Sequence, residues 1–196
     1  MDRKIIFWLS IVFLVAVLVM ESDLPVQQKR NPEITSLVAD STQMRTDSSE
    51  ARGGTEQAWV KRTVDGDTLD VIVEGREEKV RLIGINSPES VDPRRPVECY
   101  GKEASKKMDL LATHHQVTMT GDPLDANRDK YGRLLRYIYL EDGTFVNAWM
   151  VQHGYAFAYT IFPFMDSEKF VGFERTARAD ELGLWNSSVC PYYKTK

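Results

Sequence analysis

Cysteine is scarce in this chain of 196 residues: only Cys99 and Cys190 occur, and neither belongs to a C-x-x-C pair. That excludes a zinc ribbon and a thioredoxin-like redox motif. Histidine is nearly as rare. His114, His115 and His153 lack metal-ligand spacing and have no candidate serine or cysteine nucleophile beside them, so they read as helix-end residues. There is no excess of positive charge either. With a formal net charge of −4 the chain exerts no bulk attraction on nucleic acid or anionic lipid, and a polyanion site would need a few locally focused cations. No internal repeat is visible. A hydrophobic content of 42% suffices for one core, while the length is short for two enzymatic domains.

One long apolar run is present, Ile5 to Met20, interrupted by Ser10 and preceded by Arg3 and Lys4. It is near the lower limit for a spanning helix at about 1.5 Å rise per residue, yet longer than the core of an ordinary signal peptide. The following "ESDLPVQQKR" has no small-x-small cleavage site, and no Cys stands at the end of the run for lipid attachment. An uncleaved membrane anchor over 1–20 is expected, with a cleaved signal and a secreted protein as the alternative. Lys29 and Arg30 downstream blur the orientation that the leading charges would set. Residues 21–58 are polar and without apolar period, the composition of a disordered tether. The folded domain is expected over 59–196, on the far side of the membrane from the cytoplasm. Oxidising conditions there would join Cys99 to Cys190, tying the chain's end to an early loop. Two buried free thiols are the competing reading.

From Trp59 the texture changes to short alternations broken by turns. "TLDVIVEGREEKVRLIGI" puts Leu69, Val71 and Val73 on one strand face, turns near Gly75, and runs on through Val80 and Leu82. A helix is expected from Gly101 to about His114, with Ala104, Met108 and Leu111 on one stripe and Lys102, Lys106 and Lys107 facing water. "HQVTMTG" and "GRLLRYIYLEDGTFV" read as strands. After the Asp142–Gly143 turn, Thr144 is expected to cap a helix that runs through Met150 and stops at Gly154. A last helix is expected from Ser167 to Leu184, with Phe170, Phe173, Ala177 and Leu184 inward. The order β-β-β-α-β-β-α-α suggests an α+β domain: a five-stranded barrel of the OB type with three helices.

Three polar clusters fall at strand ends or turns: "VDGDT" (64–68), "RLIGINSPE" (81–89) and "DKYGR" (129–133). Each alone has a bland explanation, since Asp-Gly and Asn-Ser-Pro are ordinary turn residues and an arginine at a strand start, such as Arg133, is most often a surface charge. Together they supply hard oxygen ligands, a carboxylate base and two guanidinium groups. Calcium takes carboxylate, amide and backbone oxygens. Charge building on phosphorus is met by planar bidentate donors, which Arg offers and Lys does not. The set suits phosphodiester hydrolysis.

These motifs, with "YGKEAS" and the longer "DKYGRLLRYIYLEDG", resemble the staphylococcal nuclease (thermonuclease) family over about Trp59 to Trp185. The resemblance implies a Ca2+-dependent nuclease that cuts DNA and RNA and leaves 3′-phosphate ends. It makes Asp67 a metal carboxylate, Ser87 a metal ligand through its carbonyl, Glu89 the general base or water-positioning group, and Arg81 and Arg133 the phosphate clamps. Tyr131 and Tyr159 match tyrosines that contact the nucleotide, with Lys130 and Arg95 as further substrate contacts. A monomer is expected. The chain departs from the family at Asn86, where a second metal carboxylate is usual. Asn still offers an oxygen, but the site loses one negative charge and metal affinity should weaken. A binding module of the same fold, holding nucleic acid or a protein without cutting it, is the alternative; a generic secreted OB-fold binder would not need these charged groups.

Overall fold

The structure, a computed structural model, describes residues 54–193. The expected anchor at 1–20 and most of the tether lie outside the described residues. Alternating apolar residues build strands β1 (Thr55–Asp65), β2 (Thr68–Val73) and β3 (Arg76–Leu82), followed by the short β4 (Ile85–Asn86). Helix α1 (Gly101–Ala112) leads into β5 (Gln116–Thr120) and β6 (Leu134–Leu140), then α2 (Val146–Gln152), the short β7 (Phe157–Ala158) and α3 (Ser167–Ala179). The five long strands close into a barrel in the order β1-β2-β3-β6-β5, and β5 pairs back onto β1. Only β3 and β6 run parallel in it. The barrel and its three helices are those expected.

Inward residues of every barrel strand, among them Val60, Leu69, Val80, Leu82, Met119 and Ile138, are fully buried. Register slips in β1 after Val60 and after Thr63 curl that strand, as bulges do at barrel corners. Three expectations need correction. Residues 55–58, assigned to the tether by composition, are strand: they pair with Thr120 to Val117 of β5, whose backbone supplies what their few apolar side chains do not. Thr144 does not cap α2. Phe145 holds the cap position without a side-chain bond, and Thr144 N–H instead donates to Asp142 Oδ1 at 2.9 Å inside the turn. Helix α3 stops at Ala179; the chain turns through Glu181, at φ 52°, and brings Leu184 back in a short 3-10 turn, Gly183–Trp185.

Helix α2 is pinned to the barrel by Asn147, which is fully buried. Its Nδ2 donates to the carbonyls of Ile83 (2.9 Å) and Arg136 (3.2 Å), and its Oδ1 accepts from the Ile138 N–H at 2.9 Å. Ile83 stands where β3 leaves the barrel toward Asn86, and Arg136 and Ile138 are in β6, its parallel partner. Asn147→Ala strands the Ile83 carbonyl and the Ile138 N–H, each at about 1–3 kcal/mol, while the Arg136 carbonyl keeps the Ile83 N–H at 3.1 Å, so a loss on the order of 2 kcal/mol or more is expected. The measurement is the urea midpoint at unchanged m-value; a loss below about 1 kcal/mol would show that water reaches these groups.

Candidate active site

The site forms where strands end. Between β1 and β2 the chain turns through Asp65, Gly66 and Asp67, and the loop after β4 folds down on this turn. Gly66 is required there, because a Cβ would stand 2.7 Å from Ser87 Cβ and 2.9 Å from its Oγ. That closeness lets Asp67 Oδ2 accept the Ser87 N–H at 2.8 Å, while Oδ1 accepts the Thr68 hydroxyl at 2.9 Å. Alternation along β3 sends Val80 and Leu82 inward and Arg81 outward beside them. Arg81 Nη2 lies 3.1 Å from Asp67 Oδ2 and donates to Asn86 Oδ1 at 3.2 Å, and Nη1 donates to the Leu82 carbonyl at 2.8 Å. One guanidinium therefore spans two of the expected metal ligands.

Beyond Pro88, Glu89 Oε1 accepts the N–H groups of Val91 and Asp92, both at 2.9 Å. Burial works to raise its pKa, but these amides and the Arg95 cation outweigh it and hold the carboxyl below its usual range. Glu89 is thus a carboxylate at neutral pH. Nearby, Asp65 accepts from the Ser90 hydroxyl (2.6 Å) and the Gly66 N–H (2.8 Å). Its pKa is nevertheless raised, chiefly by burial and further by the Asp67 and Glu89 carboxylates.

The turn before β6 supplies the third group. Arg133 donates from Nε to Asp129 Oδ2 at 2.7 Å and its Nη2 lies 2.6 Å from the same oxygen. Burial alone would raise the Asp129 carboxyl, but Arg133 and the amides of residues 131 and 133 hold it low. Arg128 braces this turn from behind, with bonds of 2.8 and 2.9 Å to Glu78 on β3 and one of 2.8 Å to the Gly132 carbonyl. Tyr131 is 72% exposed at the lip, its ring centroid 5.0 Å from Lys130 Nζ and 5.4 Å from the Arg133 guanidinium carbon. Tyr159 is fixed by its N–H on the Gly84 carbonyl at 2.8 Å.

All ten residues assigned from the motifs to catalysis, metal or substrate line this one groove, whose volume is about 1070 Å³. Within it nine of them form three sets: Asp67, Arg81, Asn86 and Ser87; Glu89 with Arg95; and Lys130, Tyr131 and Arg133; Tyr159 is the tenth. Arg95, expected on substrate, is turned toward the protein: Nη2 donates to Glu98 Oε1 at 2.8 Å and Nη1 is 3.7 Å from Glu89 Oε2. Residues that the motifs did not single out are Asp65, Ser90, Glu98, Asp129 and the Glu78–Arg128 pair. Asp65 and Asp129 sat inside quoted motifs; the others meet their partners only in the fold. Cys99 and Cys190 are joined, 91 residues apart in sequence. The histidines stand apart from the groove, with His115 and His153 bonded through Nδ1 to the Thr113 and Trp149 carbonyls.

The sequence model of the staphylococcal nuclease homologues matches residues 79–187. The chain belongs to the staphylococcal nuclease family. It is 36% identical over 140 residues to the thermonuclease of Staphylococcus intermedius, covering 70% of this chain and 80% of that one. It is 36% identical over 131 residues to Endonuclease YncB of Bacillus subtilis, at 65% and 60% coverage, and 33% identical over 135 residues to the micrococcal nuclease of Shigella flexneri, at 65% and 72%. The resemblance read from the motifs therefore holds for the family.

Among the described residues no three His, Cys, Asp or Glu side chains are arranged to hold an ion by themselves. The donors that the nuclease-family motifs bring together are instead one carboxylate (Asp67), one amide oxygen (Asn86) and Ser87, all oxygen. Ser87 Oγ is buried without a hydrogen-bond partner, and the Asp67 and Glu89 carboxylates both act on Asp65 in the same groove. A hard cation with water or substrate completing its shell fits this set.

Proposed function

We propose that this chain is a nuclease that hydrolyses phosphodiester bonds in DNA and RNA with Ca2+ as cofactor, leaving 3′-phosphate ends. The observation that carries the reading is the convergence of the Glu89 carboxylate, the Arg81 and Arg133 guanidiniums and an all-oxygen donor set in one open groove. Asp67, the Asn86 amide oxygen and the Ser87 carbonyl would hold the ion, which when bound supplies Lewis-acid stabilisation of charge on the phosphoryl oxygens. Glu89, ionised at neutral pH, takes the proton from the attacking water. Arg133 keeps one edge on Asp129 and turns the other to the phosphate, and Arg81 does the same from the β3 side. Both stabilise charge that grows as the pentavalent state forms. Tyr131, Lys130 and Tyr159 orient the nucleotide at the lip. We further propose a monomer attached outside the cytoplasm through the apolar run at 1–20, with secretion as the alternative; the Cys99–Cys190 bond suits an oxidising compartment.

One observation favours a second reading, a binding module without cleavage: Arg81 spans Asp67 and the uncharged Asn86, where a second carboxylate would be expected to compete for a cation. Retention of Glu89, Arg81 and Arg133 together puts the enzyme first. Nicking of a plasmid with Ca2+ and its abolition by chelator test the two. Asn86→Asp should tighten apparent Ca2+ affinity about tenfold if the added charge is worth about 1.4 kcal/mol at the ion, with a smaller change in turnover at saturation. Wild-type protein inert at every Ca2+ concentration and not rescued by Asn86→Asp would leave the binding module.

A further inference from the structure

We propose that Glu98 is a positioning residue for Glu89, bracketing the irregular loop that carries it; this rests on the reading of Glu89 as the base. Between β4 and α1 the chain has no helix or strand, so no periodic hydrogen bonding fixes the direction of Glu89. Residue 98 does so from both sides of the same residue. Its N–H donates to the Glu89 carbonyl at 2.8 Å, and its Oε2 accepts the Glu89 N–H at 3.1 Å. Its other oxygen, Oε1, accepts from Arg95 Nη2 at 2.8 Å, and Arg95 Nη1 stands 3.7 Å from Glu89 Oε2. A ring closes from Glu89 backbone to Glu98 carboxylate to Arg95 to Glu89 carboxylate.

Two neighbours keep the ring in place. A Cβ on Gly101 would lie 2.6 Å from the Glu89 carbonyl oxygen, so the first turn of α1 is pressed against the bracketed peptide. Cys99, next to Glu98, is bonded to Cys190. As a surface ion pair at i,i+3, Arg95–Glu98 would contribute little. That account leaves out the Glu98 oxygen on a backbone N–H and the return of Arg95 to the Glu89 side chain. A base must be held to within about 0.5 Å to work, and a misplacement of about 1 Å can cost about 100-fold.

The test compares Glu98→Ala with Glu98→Gln. Gln keeps an oxygen for the Glu89 N–H, whereas its NH2 takes the Oε1 position, so both the charge and the hydrogen bond toward Arg95 Nη2 are lost. Glu98→Ala should lower kcat about 10- to 100-fold with KM within about threefold, and Glu98→Gln should restore kcat to within about fivefold of wild type. Amide hydrogen exchange at residues 89, 91 and 92 gives a readout that does not depend on turnover. It should accelerate in Glu98→Ala, return in Glu98→Gln, and leave the barrel strands unchanged. Wild-type kcat in Glu98→Ala, or a loss matched by faster exchange throughout the barrel, overturns the proposal. A Glu89→Gln variant run beside them separates the two ideas: full activity there removes the base assignment, whereas an inactive Glu89→Gln with a fully active Glu98→Ala removes only the bracket.

Discussion

Glu89→Gln should lower kcat by about 10² to 10⁴-fold, the contribution of a positioned base, while nucleotide affinity stays nearly intact. The structure says why the substitution isolates the charge. Glu89 Oε1 already accepts two amides, from Val91 and Asp92, and the Gln carbonyl can take over both bonds. The new NH2 then occupies the Oε2 position, where it faces Arg95 without the attraction of a carboxylate. Loop geometry is conserved and the proton acceptor is removed. The measurement is kcat and KM on a defined oligonucleotide at saturating Ca2+, with the melting temperature as control for folding. A variant within a fewfold of wild type would mean that another group takes the proton, and Asp65, buried beside Asp67 with a raised pKa, would be next to test. Arg133→Ala should instead weaken both turnover and phosphate binding, because its guanidinium is held at the groove by Asp129 before substrate arrives.

What could be read from the chain alone divides along the range of the interaction. Strand alternation in "TLDVIV" and "VRL", and the stripe of Ala104 and Met108, depend on neighbours a few residues away, and these elements appear where the periodicity puts them. The motif residues also converge, since each sits at a strand end that the barrel brings to one side. Pairings between distant segments were not legible. Nothing in "RYIY" marks β6 as the parallel partner of β3, and nothing in "TEQA" shows that it is completed by β5. Asn147 reads as an ordinary helix residue until three peptides from other elements are seen around its side chain. Thr144 satisfied a capping rule, but the helix begins at Val146, which puts Phe145 at the cap position and Thr144 one residue before it. At the site, Asp67 and Glu89 were visible as ligand and base types. The arginine across Asp67 and Asn86, and the turning of Arg95 toward Glu98, follow from distances that no spacing in the sequence encodes.

Replacing both members of the Cys99–Cys190 bridge by Ser should produce the largest loss of stability of any change outside the barrel core. The bond closes a loop of 91 residues, for which chain entropy in the unfolded state corresponds to about 4 to 5 kcal/mol. In a domain of this size that is a fall in melting temperature on the order of 15 °C. The fold adds a local effect. Cys190 is fully buried beyond the 3-10 turn Gly183–Trp185, and Tyr193 after it sits edge-on to Phe157 and Trp185 at centroid distances of 5.1 and 6.4 Å. The bridge holds that aromatic cluster at the C-terminal end and, through Cys99, the base of the Glu89 loop. The Ser pair should therefore lose turnover as well as melting temperature, and should do so at temperatures where its barrel is still folded. Alkylation of the unreduced, denatured wild-type protein should label no thiol. A double variant that melts within about 3 °C of wild type would mean a denatured chain that keeps its ends together without the bond, removing the entropic argument. Turnover that is unchanged while melting falls would confine the bridge to stability and leave the Glu89 loop to its own hydrogen bonds.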